Sequence, residues 1–340
     1  MTSFKSRVSL WLNQAWYNKN RVLYLLCPFS LLYALVTGLR YVFYRHKLKP
    51  SLQKIPIIVV GNLTVGGNGK TPCVIALTRL LQEQGFRPGI VSRGYQARAP
   101  HYPFLVIVHY NFRESGDEPA MLRAELNCPV VLDPQRKNAV DYLLKHCPEV
   151  NVIIADDGLQ HFQLRRDFEI VVIDANRQFG NGLCLPAGPL REPISRLKTV
   201  DLVITQGQSV AFPYSFQLKP QVFIQVAESK KMSDISSWKG KKVHAVAAIG
   251  NPERFFETLR ALGLEVIPHV FADHTWFKSQ DFEYNDEYPI IMTAKDAIKC
   301  KDFAKTDWWY LQVAPEFNTL TKAELMKFIK NINSHDGKEL

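Results

Sequence analysis

Ile57-Ile58-Val59-Val60-Gly61-Asn62-Leu63-Thr64-Val65-Gly66-Gly67-Asn68-Gly69-Lys70-Thr71 is a β-branched run that empties into a glycine-rich loop ending Gly-Lys-Thr. Backbone N–H groups at such a turn, and at the N-terminus of a following helix, form a concave anion site. The lysine reaches terminal phosphates and the threonine hydroxyl meets Mg²⁺. The implied ligand is a nucleoside triphosphate, with residues 64–71 (Thr64, Val65, Gly66, Gly67, Asn68, Gly69, Lys70 and Thr71) as its cradle. The general pattern G-x-x-x-x-G-K-S/T asks for glycine where Thr64 stands, and this loop carries extra glycines at Gly66 and Gly67. Context supplies what the tripeptide alone does not: a strand upstream, and a helical apolar period at Val74, Leu77, Leu80 and Leu81 downstream. A dinucleotide-binding fingerprint fails, because its third glycine falls on Pro72.

The chain has 340 residues, 46% of them hydrophobic and 22% charged, enough for two folded domains and unlike a disordered chain. Six scattered cysteines form no C-x-x-C and no zinc-like spacing, which fits reduced thiols. The net charge of +10 is concentrated, since residues 1–54 hold nine Lys or Arg and no Asp or Glu. A basic segment around an apolar one argues for an anionic membrane surface rather than nucleic acid. The apolar segment, Val22 to Leu39, has no charge over eighteen residues. As a helix it would be about 27 Å long, marginal against a ~30 Å hydrocarbon core. It begins too late, and lacks the cleavage site, for a secretory signal. The alternative is a helix buried against the protein. Either way, a nucleotide site places the body on the cytoplasmic side.

Strands are expected at Pro88–Ser92, Phe104–Val108, Val130–Leu132, Val152–Ala155, Ile170–Ile173 and Leu202–Thr205, alternating with amphipathic segments as in a parallel sheet with crossover helices. Residues 206–240 turn polar and Pro-containing. A second α/β unit follows from Val243, with a helix at Pro252–Leu262 and strands at Val266–Phe271, near Ile290-Ile291 and at Trp309–Val313. The fold class is therefore α/β: a P-loop NTPase-like parallel-sheet domain at 46–205, a linker and smaller α/β domain at 206–340, and a basic, apolar membrane-associated helix within 1–45.

Val152-Ile153-Ile154-Ala155-Asp156-Asp157-Gly158 ends an apolar strand in two carboxylates, where a Mg²⁺-holding acid sits in phosphoryl-transfer sites. Acidic pairs also form ordinary turns. Ser92-Arg93-Gly94-Tyr95 offers Arg93 to a phosphate or merely to solvent. Gly116-Asp117-Glu118-Pro119 reads as a helix cap or, chemically, as an Asp117 that accepts a hydroxyl proton. Leu190-Arg191-Glu192-Pro193 closes a Gly/Pro loop or starts a helix, and Asp273-His274 is more simply a structural loop.

In this order, with Asp156-Asp157-Gly158-Leu159-Gln160-His161, Leu185-Pro186-Ala187-Gly188-Pro189-Leu190-Arg191-Glu192-Pro193, Ile249-Gly250-Asn251-Pro252 and Thr293-Ala294-Lys295-Asp296-Ala297, these motifs resemble the tetraacyldisaccharide 4'-kinase family. Thr64 belongs to that family's version of the loop. The resemblance implies transfer of the γ-phosphate of ATP to the 4'-hydroxyl of an acylated glucosamine disaccharide 1-phosphate in lipid A biosynthesis, at the inner membrane. It implies Lys70 on the ATP phosphates and Thr71, Asp156 and Glu192 around Mg²⁺. Asp157 would join the catalytic set as a neighbouring polar or metal-shell group, and Asp117 would be the base, aided by His274 across a cleft. Arg93, Glu118, Arg136, His161 and Arg191 would be phosphate or substrate contacts. Two other classes compete. A P-loop ATPase or GTPase switch would use the same loop, but the lysine of Thr293-Ala294-Lys295-Asp296 stands one position too late for the guanine-reading N/T-K-x-D. A non-catalytic membrane module would leave the carboxylates without a purpose.

Overall fold

The structure, a computed structural model, describes residues 11–336 except 13, 19, 48–54, 96, 107–111 and 274. Ile57–Gly61 forms strand β1, and every one of its residues is buried. A continuous β-branched run covered on both faces belongs in the middle of a parallel sheet. The remaining strands are β2 (Pro88–Ser92), β3 (Phe104–Val106), β4 (Val130–Leu132), β5 (Val152–Asp156), β6 (Phe168–Asp174), β7 (Leu202–Gln206), β8 (Ser215–Gln225), β9 (Met232–Ser233), β10 (Lys242–Ala247), β11 (Glu265–Val270), β12 (Ile290–Thr293) and β13 (Trp308–Phe317). Among the described residues they make one thirteen-stranded sheet, ordered β11-β10-β12-β13-β8-β7-β6-β1-β5-β2-β4-β3, with β9 on β8.

Helices cross over between these strands. Those used below are α1 (Cys27–Lys47), α2 (Lys70–Glu83), α3 (Asp117–Glu125), α4 (Arg136–His146), α5 (Pro252–Ala261), α6 (Ala294–Cys300) and α7 (Thr319–Asp336). The periodic residues Val74, Leu77, Leu80 and Leu81 of α2 are all buried, on the same cluster as Ile58, Val60 and Ile154. The opposite face of β1 packs Ile57 and Val59 against α4 through Val140 and Leu143. A separate pair of apolar clusters flanks β10 and β12.

The stretch 206–240, read from sequence as polar connection, contains the eleven-residue strand β8. It pairs antiparallel with β13 for almost its whole length and with β7 at only two positions, Thr205↔Ser215 and Gln206↔Phe216. Pro220, which lacks an N–H, faces Val313 where the β8–β13 register shifts, the kind of irregularity that tolerates proline in a strand. That interruption, with Lys219 and Gln221 beside it, hides the strand from a period-2 search.

The N-terminal segment forms a short 3₁₀ turn (Arg21–Leu26) that runs into α1. Leu23 is buried with Trp16 and against Val65 and Leu185. Ser30 Oγ accepts from Ala187 N at 2.9 Å, Tyr33 and Ala34 pack on the core, and Tyr41 meets Phe162 edge-on. Leu25, Phe29, Leu31, Leu32, Leu35 and Leu39 point the other way and are exposed, Leu25 by 78% and Leu31 by 73%. Arg21–Tyr44 is, by length and composition, apolar enough to cross a membrane.

Candidate functional site

Strands β1 and β5 are parallel neighbours in register, Val60 opposite Asp156, so the loops that leave their carboxyl ends emerge side by side. Ligands of open α/β sheets bind at this edge. The loop after β1 turns into α2 through Gly69, at φ 81°, a left-handed conformation that suits glycine. Lys70 is the first helical residue. Its Nζ lies 3.6 Å from Asp157 Oδ1, and Arg191 Nη1 lies 3.2 Å from the same oxygen.

Thr64 stands where a general P-loop has glycine, and the structure gives the reason. Its buried hydroxyl accepts a hydrogen bond from Asn68 Nδ2, and its backbone bridges Leu190. Val65 N donates to Pro189 O at 2.9 Å and Arg191 N to Leu63 O at 2.6 Å. The loop after β1 is thus strapped to the 185–193 loop, which carries Arg191 and Glu192.

The acid pair is split by environment. Asp156 is fully buried; desolvation, with Glu118 and Asp157 nearby, pushes its proton affinity well above the usual carboxylate range. Burial would also raise Asp157, but Lys70 and Arg191 outweigh it and hold the group down at about 2. Asp157 occupies a left-handed conformation at φ 49°, directly after β5. Oδ1 of Asp156 is buried without a hydrogen-bond partner among the described residues. An orphaned carboxylate oxygen is what a hard, oxygen-liganded cation requires, so Asp156 fits a Mg²⁺ site. No three His, Cys, Asp or Glu among the described residues could hold a metal by themselves. A lone buried carboxylate oxygen such as that of Asp156 suits a Mg²⁺ bound by one or two carboxylates plus nucleotide phosphates. Glu192 is buried, its proton affinity raised chiefly by that burial. Gln160 Nε2 donates to its Oε1 at 2.9 Å and Arg196 Nε to its Oε2 at 3.2 Å, so both oxygens are engaged. Arg196 also binds Glu169 through both carboxylate oxygens, and its guanidinium lies over the Tyr41 ring of α1 at 4.6 Å.

Arg136 is buried at the start of α4; it donates to Asp133 O at 3.0 Å, while its Nε has no partner among the described residues. Burial brings its proton affinity down to about 10. Burial and then Arg136, Arg166 and Arg93 bring His161 down to about 4, leaving a neutral imidazole at neutral pH. Arg93 is exposed. Arg93, Arg136 and His161 thus share one positively charged neighbourhood beside the acid pair.

Asp117 is the first residue of α3, not its cap; the N-cap is Gly116. Its Oδ2 lies 3.5 Å from both Lys295 Nζ and Lys299 Nζ on α6, and its Oδ1 accepts from Glu118 N at 2.9 Å. Lys295 also reaches Glu118 Oε1 at 3.2 Å and Asp273 Oδ1 at 3.3 Å. Burial alone would weaken its hold on a proton, but Glu118, Asp273 and Asp117 outweigh that and keep it above the ordinary lysine value. His274 lies outside the described residues.

A cavity of about 450 Å³ joins the two halves of the sheet, lined by Lys70 and Thr71 from one and by Gly250, Arg254 and Lys295 from the other, with apolar walls at Met121 and Leu311. Gly67 and Gly250 meet so closely that a Cβ on Gly250 would lie 2.6 Å from Gly67 N. Arg177 Nη1 donates to Gly250 O at 2.6 Å and Arg254 Nη2 to the buried Asp174 at 2.5 Å, pinning the 249–254 turn against the end of β6. Sequence reasoning missed Arg177, Asp174, Arg196, Arg254 and Lys299. Asp174 carried a signal, an acid ending an apolar strand like Asp156; the others carried none.

A family model for LpxK, tetraacyldisaccharide-1-P 4'-kinase, matches residues 22–332. The chain is 45% identical over 334 residues to the tetraacyldisaccharide 4'-kinase of Hahella chejuensis, covering 96% of this chain and 98% of that one. Against the enzyme of the same name from Legionella pneumophila strain Lens it is 46% identical over 313 residues, covering 92% and 95%. The crystal structure of LpxK from Aquifex aeolicus, an "apo" form in complex with ATP, superposes with a TM-score of 0.75 at 27% identity, over 92% of this chain and 99% of that one. With these motifs on one sheet edge and likeness running over nearly its whole length, the chain belongs to the tetraacyldisaccharide-1-P 4'-kinase family.

Proposed function

We propose that this protein transfers the γ-phosphate of ATP to the 4'-hydroxyl of a tetraacylated glucosamine disaccharide 1-phosphate, a step of lipid A biosynthesis, at the cytoplasmic face of the inner membrane. The observation that carries the reading is one cavity shared by Lys70 and Thr71 of the phosphate loop and by groups of the opposite half, in a chain of this family. Phosphoryl transfer needs positioning and charge neutralisation more than covalent chemistry, and the edge supplies both. Lys70 and the loop amides hold the ATP phosphates. Thr71 and Asp156 would hold Mg²⁺, with Glu192 close by; bound there, the ion neutralises charge on the phosphates. Asp157, kept ionised by Lys70 and Arg191, fixes the lysine's direction. Asp117 takes the proton of the attacking hydroxyl, with His274 as its aid. Arg93, Glu118, Arg136, His161 and Arg191 are the substrate-side groups. His161, being neutral, serves as a hydrogen-bonding partner rather than a counter-charge.

Residues 46–205 and 206–340 act as two lobes in this reading. The two-position pairing of β7 with β8 and the second lobe's own two apolar clusters around β10 and β12 support it, while the core beneath α2 also takes in Phe216, Phe317 and Leu325 from beyond residue 205. Membership of the family disfavours the switch reading. Purified protein incubated with ATP, Mg²⁺ and the acylated disaccharide 1-phosphate should yield a product heavier by one phosphate. ATP turnover at the same rate without the disaccharide would sink the assignment.

The lipid substrate also accounts for α1. One face docks on the body and the other presents leucines to solvent, which supports a helix lying in the membrane interface rather than spanning it. Each buried leucine contributes about 1.5–3 kcal/mol. Replacing Leu31, Leu32, Leu35 and Leu39 together with glutamine should therefore cut membrane partitioning at least ~100-fold, leaving ATP affinity unchanged. Vesicle co-sedimentation reads this directly. Wild-type partitioning in the quadruple variant would move the anchor elsewhere.

A further inference from the structure

We propose that Lys295 is a second catalytic cation of this kinase, delivered by the second lobe: it pairs with the Asp117 carboxylate and passes to the γ-phosphate when ATP binds. The inference rests on the function proposed above and adds to it a residue to which the sequence assigned no role.

Two lysines one helical turn apart on α6 face Asp117, and the structure treats them differently. Lys299 is anchored: its Nζ lies 3.0 Å from Asp296 Oδ1, and its side chain is only 4% exposed. Asp296 is itself immobilised, its Oδ2 accepting from Ala248 N at 3.0 Å and from Thr293 Oγ1 at 2.7 Å. Lys295 has no such dedicated partner. It is shared among Asp117, Glu118 and Asp273 at 3.2–3.5 Å, with no single partner as near as Asp296 is to Lys299. It also lines the cavity that holds Lys70 and Thr71, whereas Lys299 does not. One lysine is a fixture of the lobe; the other is held loosely, at the wall of the nucleotide cavity.

Charge supplies the reason to move. A triphosphate brings several negative charges into the cavity, and its terminal phosphate competes with three spread carboxylates for one ammonium. Transfer of Lys295 does two things at once. It adds a positive charge where negative charge develops, as cations supplied by a second element do in other phosphoryl-transfer enzymes. It also removes one of the ammonium groups paired with Asp117, leaving Lys299, and a carboxylate so relieved is a better acceptor for the hydroxyl proton. ADP, without the γ-phosphate, gives the lysine no such destination.

The test compares ATP and ADP binding by calorimetry, with turnover, in the full-length wild type and in Lys295→Met, Lys295→Arg and Lys299→Met. Lys295→Met should lose about 10–100-fold in ATP affinity, the scale of one charge-assisted contact, while ADP affinity stays within a factor of two or so of wild type. Its kcat should fall by about 10²–10³. Lys295→Arg should recover most of the preference for ATP over ADP, and Lys299→Met should keep that preference. Should Lys295→Met not fold, Lys295→Met with Asp273→Asn removes one negative charge along with the positive one and gives the same readout. Equal loss of ATP and ADP affinity, or an unchanged ratio, would make Lys295 a structural clasp and overturn the proposal. A wild type that binds ADP and ATP but phosphorylates no disaccharide would overturn the substrate reading while leaving the nucleotide comparison to decide the role of Lys295.

Discussion

Lys70→Ala should lower turnover about 10²–10³-fold at saturating ATP, the scale of removing one preorganised charge from a phosphoryl-transfer site. The fold should survive. Lys70 begins α2 and, among the described residues, its side chain pairs with Asp157, which keeps a second cation, Arg191, at 3.2 Å. Asp157 therefore does not become an uncompensated buried charge, the situation that makes breaking a buried pair costly. Thr71→Ala should give a loss of similar direction, made partly good by raised Mg²⁺, because it removes a hydroxyl ligand rather than a charge. Single-turnover assays beside thermal melts separate chemistry from stability. Wild-type turnover in a folded Lys70→Ala protein would refute the phosphate-loop assignment.

The second large effect is expected at Asp117. Asp117→Ala should reduce turnover by about 10²–10⁴, the contribution of a positioned general base, with little change in ATP affinity. The competing reading, a helix cap, would cost about 0.5–2 kcal/mol of stability and leave the chemistry intact. Gly116 occupies the cap position, and Asp117 divides its carboxylate between the Glu118 N–H and the ammonium groups of Lys295 and Lys299. Removing it leaves both lysines with other carboxylates, Glu118 and Asp273 for one and Asp296 for the other. A large loss of stability is therefore not expected. If Asp117 and His274 work as a unit, the double alanine variant should be scarcely slower than the worse single one, because such pairs are strongly non-additive. Additive rate losses would dissolve the pair while leaving Asp117 important.

Legibility followed the range of the interaction that carried each feature. The β1 run, the Gly-Lys-Thr turn, the apolar period of α2 and the Pro252 helix start are local patterns, and each lies where the periodicity placed it. Strands β2, β4, β5, β6 and β7 were found for the same reason, being continuous, largely buried apolar runs. β8 was not, because its alternation is broken by Pro220 and its pairing partner lies almost a hundred residues later in β13. The eighteen-residue apolar segment was visible as such, but a count of hydrophobic residues does not say which of them dock. Ser30 to Ala187 and Trp16 to Pro186 are contacts across 157 and 170 residues.

The candidate site divides in the same way. Residue identities determined that a glycine-rich Gly-Lys-Thr loop and an acid pair each end an apolar β-run, that the positive charge gathers at the N-terminus, and through eight ordered motifs which family the chain resembles. Only the tertiary structure decided how those groups are charged and held. Asp156 and Asp157 are neighbours of one residue type, yet burial raises the first while Lys70 and Arg191 lower the second. Thr64 substitutes for glycine because its hydroxyl and backbone lock the loop onto Asn68 and Leu190. Glu118 and Lys295 meet across 177 residues of chain. Sequence periodicity records which face of an element is covered; the distance between two charges, and the water excluded around them, exist only once the elements are packed.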